Sequence, residues 1–516
     1  MVENRVVVVD VTSFQIYFLN NANSSKTKQR TLRMTKISVT LLFLITSVFT
    51  FAQVKDTTGV FKKRVLESSE VDFLSSYYNQ DGTHAAVSGG LGTEKLSDFA
   101  SNIVVAVPLN DDDVLTFDVG LSAYTSASSS NVNPFMNSTK SYSTSSGASG
   151  QVSTTTVNTS PPVGTPWQAS SGASKGGTLY ALNANYAHSS DNRNFIWNAD
   201  MSLSKEFNYG SFGFGGGVTK LFNDKNSEIS LKTNIYLDNW KIIYPTELKE
   251  YNQYGNDFQL YSYFSGVAIM DQNGNTTTAY LPSTFKPWTS TKRDSYSASA
   301  SFSQVLTKKT QFSIFMDVLQ QQGMLSTPYQ RVYFADKPNY YIGKAQYISN
   351  YQSPTNTGVF QLADDIERMP NTRLKVPIGL RWNYYISENI ALRTYYRYYW
   401  DDWGITSHTA SIELPVKISE RFTVYPMYRY YIQTAAKYFA PFEKHLSTEQ
   451  YYTSDYDLSA FNAKQYGFGV NYTDIFANGK FFGMGIKNVD FRFNHYVRSD
   501  GLNANIGTLG FHFTTD

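Results

Sequence analysis

The chain contains no cysteine, which excludes disulfides, thiolate metal centres, a cysteine nucleophile and an N-terminal lipoprotein anchor. Charge is sparse as well, at 17% of residues, and 44 basic against 42 acidic side chains leave a net charge of only +2. No global field therefore attracts nucleic acid or an acidic partner, and any electrostatic role must be local. Long apolar runs are missing after the N-terminal region, and the mean hydropathy is -0.35, which excludes a bundle of membrane-spanning helices. What is abundant is aromatic: 39 Tyr and 35 Phe bring the aromatic share to 16%. Alanine- or leucine-rich helical periodicity is almost absent, so the chain reads as strands throughout.

The start of the chain carries the longest apolar run. Residues Met34 to Gln53 read MTKISVTLLFLITSVFTFAQ: a positive start at Lys36, an apolar core from Ile37 to Phe51, then small Ala52. That core is shorter than the roughly 20 residues of a helical span, so the segment reads as a secretory signal peptide, 34–52, cleaved after Ala52. Residues 1–33 make a poor n-region and read as an extension ahead of the true start. Residues 53–69 then form a short segment before the first strand. This is too little for the plug domain of a TonB-dependent transporter.

From residue 70 to 516 one pattern repeats. In Thr372 to Ile386, Leu374, Val376, Ile378, Leu380, Trp382, Tyr384 and Ile386 alternate with Arg373, Lys375, Pro377, Gly379, Arg381, Asn383 and Tyr385. A strand turns successive side chains to opposite faces, so the apolar set and the charges fall on different sides. Such runs exceed the 5–6 residues usual in globular strands and suit membrane strands, which need about 9–11. Sixteen segments emerge: 70–78, 97–108, 113–125, 178–188, 194–206, 209–222, 227–239, 295–307, 310–322, 372–387, 389–402, 405–419, 421–435, 457–472, 480–498 and 502–513. Short connections at 110–113, 191–192, 223–227, 308–309, 387–389, 419–420 and 474–479 all fall on one side. The long ones, 79–96, 126–177, 240–294, 323–371 and 436–456, all fall on the other. The fold expected is all-β: a transmembrane antiparallel up-and-down β-barrel of about sixteen strands, with long extracellular loops and both termini periplasmic. The loop at 126–177, rich in Ser, Thr, Gly and Asn, reads as exposed. Those at 241–294 and 321–371 carry many aromatic residues, which suits folding over the mouth, into the lumen or against partners.

The stretches DDDVLTFDVGLSAYTSASSSNVNP, Asp111 to Pro134, and VDFLSSYYNQDG, Val71 to Gly82, resemble an uncharacterised outer-membrane barrel family common in Bacteroidetes, over most of the mature chain. The resemblance implies an outer-membrane barrel and no reaction, with a hint of envelope redox systems. The last strand ends Leu509, Phe511, Phe513 and is similar to the aromatic-terminated strands by which barrel assembly machinery recognises its clients. Thr514, Thr515 and Asp516 depart from that pattern.

Eight cations are the candidate site. Arg373, Lys375, Arg381, Arg393, Arg397, Lys417, Arg421 and Arg429 occupy polar-face positions on four consecutive strands and would form a basic ladder on one lumen wall. Either it attracts anions in a wet channel, or it pairs with Glu413, Asp490, Asp364, Asp365 and Glu367 to brace the lumen. Tyr395, Tyr396, Tyr398, Tyr399, Trp400 and Trp403, with Tyr428, Tyr430 and Tyr431, read as an interfacial girdle. Asp111 to Asp113 read as a hairpin turn, lacking the spacing of a calcium loop. Gly210 to Gly217 read as a thinly packed strand, where an inward loop could pass. The histidines, His84, His188, His408, His445, His495 and His512, sit near no defensible Ser/Asp arrangement, so no catalysis, cofactor or metal is expected. The function expected is a pore for small hydrophilic solutes, anionic ones among them. The alternative is a non-conducting scaffold of an envelope assembly, secretion or redox complex, with an outer-membrane enzyme behind both. The partners expected are outer-membrane lipid, the barrel assembly machinery and envelope proteins, with no nucleic acid.

Overall fold

The computed structural model describes residues 64–126, 139–145, 152–158, 166–169, 174–262, 264–277, 280–282, 285–356 and 358–515. The expected signal peptide, 34–52, and the residues ahead of it lie outside these. Backbone pairing organises the rest into one antiparallel sheet that closes on itself. Its strands are β1 Glu70–Asp81, β2 Leu96–Pro108, β3 Asp113–Ser126, β4 Ser174–Ser189, β5 Phe195–Lys205, β6 Tyr209–Phe222, β7 Ser227–Trp240 and β8 Lys292–Thr307. There follow β9 Thr310–Gly323, β10 Thr372–Ser387, β11 Ile390–Asp401, β12 Thr406–Glu413, β13 Phe422–Gln433, β14 Phe461–Thr473, β15 Met484–Arg498 and β16 Asn503–Thr514. Two-residue pieces, Val416–Lys417 and Lys480–Phe481, add short pairings at the turn end of this sheet. Each strand pairs with its neighbours in the chain, and β1 pairs with β16 from Glu70 against Thr514 to Asp81 against Asn503. Closure leaves no free edge, the condition under which a sheet can sit in lipid.

The alternation read in the sequence becomes two faces. Ile378, Leu380 and Trp382 on β10 are exposed to the outside, and their cross-strand partners Met316, Ile314 and Phe312 on β9 continue the same apolar band. The intervening Arg373, Arg381, Asn383 and Tyr385 point inward and line a cavity. All sixteen expected segments are present, and the differences are local. The strand expected over 405–419 breaks at Leu414 and Pro415, because proline has no N–H for the ladder. The one expected over 480–498 begins as a tight turn, with Phe482 and Gly483 at positive φ, and β15 starts at Met484. In Gly210 to Gly217 it is neighbouring side chains that need the room. A Cβ on Gly213 would meet Tyr236, and one on Gly215 would meet Asn234 and Asp200.

Seven short turns join strand pairs at one end, and the long connections gather at the other. There, 241–291, 324–371 and 434–460 build a cap. Its elements are α1 Thr246–Tyr254, a small sheet of Ile269–Met270, Thr276–Thr277, Tyr340–Gly343 and Val359–Leu362, and a pairing of Arg331–Val332 with Asp365–Ile366. Leu248, Phe258, Phe264, Ile269, Ile342 and Leu362 meet in its apolar core. Sequence periodicity does not foreshadow this cap, since its strands are two to four residues long. Apolar burial drives it instead. Gly90, in the β1–β2 connection, has φ +86, and a Cβ there would stand 2.6 Å from the Ser454 carbonyl oxygen, so this close approach of two connections requires glycine. No helix of the described residues is long and apolar enough to cross a membrane.

Candidate permeation site

Alternation on sixteen tilted strands leaves an interior cavity of about 1740 Å³. Its lining runs from Tyr329 and Glu367 in the cap down to Ser303, Gln311 and Tyr385, beside the turns at the opposite end. Five of the eight expected cations line it: Arg373, Arg381, Arg393, Arg397 and Arg429. They share one wall because β10 to β13 are consecutive and antiparallel, so that Arg381 stands opposite Tyr395 and Gly379 opposite Arg397. Lys375 is buried near the cap end and pairs across strands with Leu319 and Asp401. Lys417 and Arg421 are exposed at the turn end, outside the cavity. The break at Pro415 and the turn before Phe422 move them beyond the regular ladder.

The wall carries more cation than the sequence reading assigned. Arg492 and Arg498 on β15 also line the cavity; their signal was the alternation of Arg492, Asn494 and Tyr496 with Phe491 and Phe493. Carboxylates partly neutralise the wall. Arg393 Nη1 donates to Glu413 Oε1 at 2.6 Å, Arg373 Nη2 to Asp401 Oδ2 at 2.5 Å, and Arg492 Nε to Asp490 Oδ1 at 2.7 Å. Asp364, Asp365 and Glu367, considered from sequence as partners for this wall, belong to the cap. Among the described residues no carboxylate lies within ion-pair reach of Arg397. Its guanidinium packs 5.7 Å from the Tyr399 ring centroid.

Aromatic rings hold these guanidiniums in place. Arg381 lies 5.4 and 5.7 Å from the Phe315 and Tyr395 centroids, and Arg373 lies 4.2 Å from Trp403. Such cation–π contacts keep these long side chains against the wall. The girdle reading therefore needs correction. Tyr396, Trp400 and Tyr428 do face outward, but Tyr395, Tyr399, Tyr431 and Trp403 line the cavity, where they support arginines.

The inner side of the cap, with the β1–β2 and β5–β6 connections beside it, is acidic. Glu94, Glu206, Glu367, Asp455 and Asp457 face the cavity. Burial pushes the Glu94 and Glu206 carboxyls up to about 7. Glu367 also rises to about 7, through burial and then repulsion from Asp455, and Asp455 to about 6 through burial and Asp457. Asp364, within the cap, reaches about 7 by burial. These carboxyls bind protons at higher pH in the folded cap than in an opened one. The cap's stability is therefore full below the ordinary carboxylate range and declines as pH rises through about 6 to 7. Intrinsic-rate-corrected hydrogen exchange at the Val332 to Phe334 amides should show more protection at pH 5 than at pH 8. Equal protection would show that these carboxyls do not control the cap.

The remaining candidates resolve as structural pairs. Asp111 pairs with Arg64 at 2.9 Å, Asp112 with Arg193, and Asp113 with His188 at 2.6 Å. His445 is buried between Glu449 and the Thr453 carbonyl, at 2.6 and 2.9 Å, while His512 meets Asp72 at 2.6 Å. His408 faces outward against Tyr396, at 2.8 Å, and His495 contacts Asn505 at 2.9 Å. His84 stacks on Tyr456.

A closed barrel with an apolar outer band, a charged lumen and a folded cap defines an outer-membrane-type β-barrel. Over residues 39–510 the chain matches the family described as "Protein of unknown function (DUF3570)", and it belongs to that family. No curated protein matches it. Among solved structures it is similar to a bacterial polysaccharide outer membrane secretin, at 9% identity and a TM-score of 0.39, over 87% of this chain and 99% of that one. It is also similar to Pseudomonas aeruginosa OpdK with vanillate, at 7% identity and 0.33, over 87% and 99%. Acinetobacter baumannii OccAB1 matches at 10% and 0.32, over 88% and 98%.

Proposed function

We propose that this protein is an outer-membrane channel for small hydrophilic solutes, biased toward anions, with the turns and both termini in the periplasm and the cap outside. The observation that carries the reading is the cavity that runs from cap to turn end, flanked on one side by arginines. Charge on a lumen wall acts through water over roughly the Debye length, about 8 Å at physiological salt, and so biases which ions enter. Purified protein in a planar bilayer should give stable channels whose reversal potential in a salt gradient reports anion preference. Arg393→Gln with Arg397→Gln should reduce that preference several-fold at low salt, with less effect at high salt, and leave assembly intact. Conducting channels with an unmoved reversal potential would make the wall a brace only.

A second reading rests on the cap. A cap of several connections with its own apolar core across one mouth suits a barrel that serves an envelope complex as scaffold and conducts nothing. Absence of channels under all salt and pH conditions would favour it. Under either reading the reaction expected of the barrel is none.

A further inference from the structure

The basic wall has an acidic counterpart that the sequence reading did not assemble. On β3 the inward face carries Ser122 and Tyr124, both on the cavity, and the same parity turns Asp118 inward, where it accepts from Asn102 Nδ2 at 3.1 Å and Asn183 Nδ2 at 3.3 Å. On β5 the cavity residue Ser204 sets the inward parity and places Asp200 on the same side, 3.3 Å from Lys232. Asp98 on β2, Glu206 after β5 and Glu228 on β7 line the cavity directly. In a closed ring of sixteen, strands eight apart lie across the lumen from each other. The strands bearing these carboxylates, β2 to β7, therefore face β10 to β15, which bear Arg381, Arg397, Arg429 and Arg492. Asp118 and Asp200 sit near mid-strand, as do those four arginines, so the two charges oppose each other at one level.

We infer that the lumen carries a transverse electric polarity which selects zwitterionic solutes, those with a carboxylate and an ammonium group, such as amino acids and short peptides. This inference rests on the channel reading and names its substrate class. A zwitterion aligned across the lumen meets opposite charge at both ends. A monoanion is drawn to the arginine side and repelled by the acidic one, so it gains less than a zwitterion even where anions outrun cations, and an uncharged solute gains nothing. Hydrogen bonds from Asn102 and Asn183 hold the Asp118 carboxylate in place, so the polarity is built in before any solute arrives.

Liposome swelling with the full mature chain tests this, using three probes of similar size: glycylglycine, N-acetylglycine and xylitol. The wild-type protein should admit glycylglycine at least about threefold faster than xylitol and faster than N-acetylglycine. Asp118→Asn with Asp200→Asn should abolish the glycylglycine advantage and put N-acetylglycine first. Asp98→Asn with Glu228→Gln, on the same half, provides a second variant should the first assemble poorly. If no probe enters and no conductance is seen, the channel reading falls and this inference with it. If solutes enter in order of size alone, or N-acetylglycine leads in the wild type, the channel reading stands and the zwitterion inference is wrong.

Discussion

Leu380→Arg should prevent the barrel from assembling normally. Leu380 lies mid-strand on β10, is exposed on the outer face, and stands between Ile314 on β9 and Tyr396 on β11, both also outward. A guanidinium there would sit in hydrocarbon, at a cost of roughly 2–4 kcal/mol near the midplane. No inward escape exists, because a one-residue shift would turn every side chain of β10 to the wrong face. The control is Asn383→Arg on the same strand. Asn383 lines the cavity beside Arg393, so a cation added there stays in water and should assemble at wild-type yield. The measurements are the heat-modifiable fraction on semi-native gels and the urea midpoint in lipid vesicles. If Leu380→Arg matched the wild type in both, the outward face of β10 would not contact lipid and the membrane reading would fail.

That contrast also shows why so much of the barrel is legible from sequence. A membrane strand must satisfy one solvent on each face along its whole length, so alternation runs long enough in Thr372–Ser387 or Phe422–Gln433 to fix both face and register. Strand ends were legible only where the pattern continued. Pro415 and the positive-φ turn at Phe482 and Gly483 interrupt pairing in ways that hydrophobicity alone does not report. The aromatic content of 241–294 and 321–371 suits folding over the mouth, but the internal structure of the cap was not legible. Its strands pair between segments far apart in the chain, such as Arg331 with Ile366, and no local period marks them. The candidate site stands between these cases. Parity identified the inward arginines of β10, β11 and β13, but Lys417 and Arg421 slipped out with the irregular end of β12. Arg492 and Arg498 carry the same parity signal on β15, whereas the opposition of the acids to the arginines requires knowledge of which strands face each other.

The largest effect on the cap should come from one buried ion pair. Arg331, in the β9–β10 connection, donates from Nε to Glu247 Oε1 at 2.6 Å and from Nη2 to Oε2 at 3.1 Å, and from Nη1 to the Val87 carbonyl at 3.2 Å. Glu247 belongs to α1 in the β7–β8 connection and also accepts from the Ala363 amide at 3.3 Å. Three connections are thus tied at one point, and both side chains are nearly inaccessible, at 5% and 1% exposed. Arg331 remains charged, since Glu247 more than offsets the effect of burial and holds its pKa above the ordinary arginine range. Arg331→Met leaves the Glu247 carboxylate buried without its cation, and removing one member of such a pair costs about 3–5 kcal/mol. The cap should then open locally while the barrel ladder persists, because Arg331 contacts no barrel strand through this pair. Adding Glu247→Leu to Arg331→Met should recover a large part of the loss, since an apolar pair of similar volume is often no less stable than a buried ion pair. Limited proteolysis of reconstituted protein should cut the single variant within 324–371 many-fold faster than wild type and the double variant at an intermediate rate, with equal urea midpoints for the barrel. In bilayers the single variant should conduct more than wild type if the cap restricts the mouth. Slow, wild-type-like cleavage of Arg331→Met would show that the apolar core around Leu248 and Ile342 alone holds the cap together.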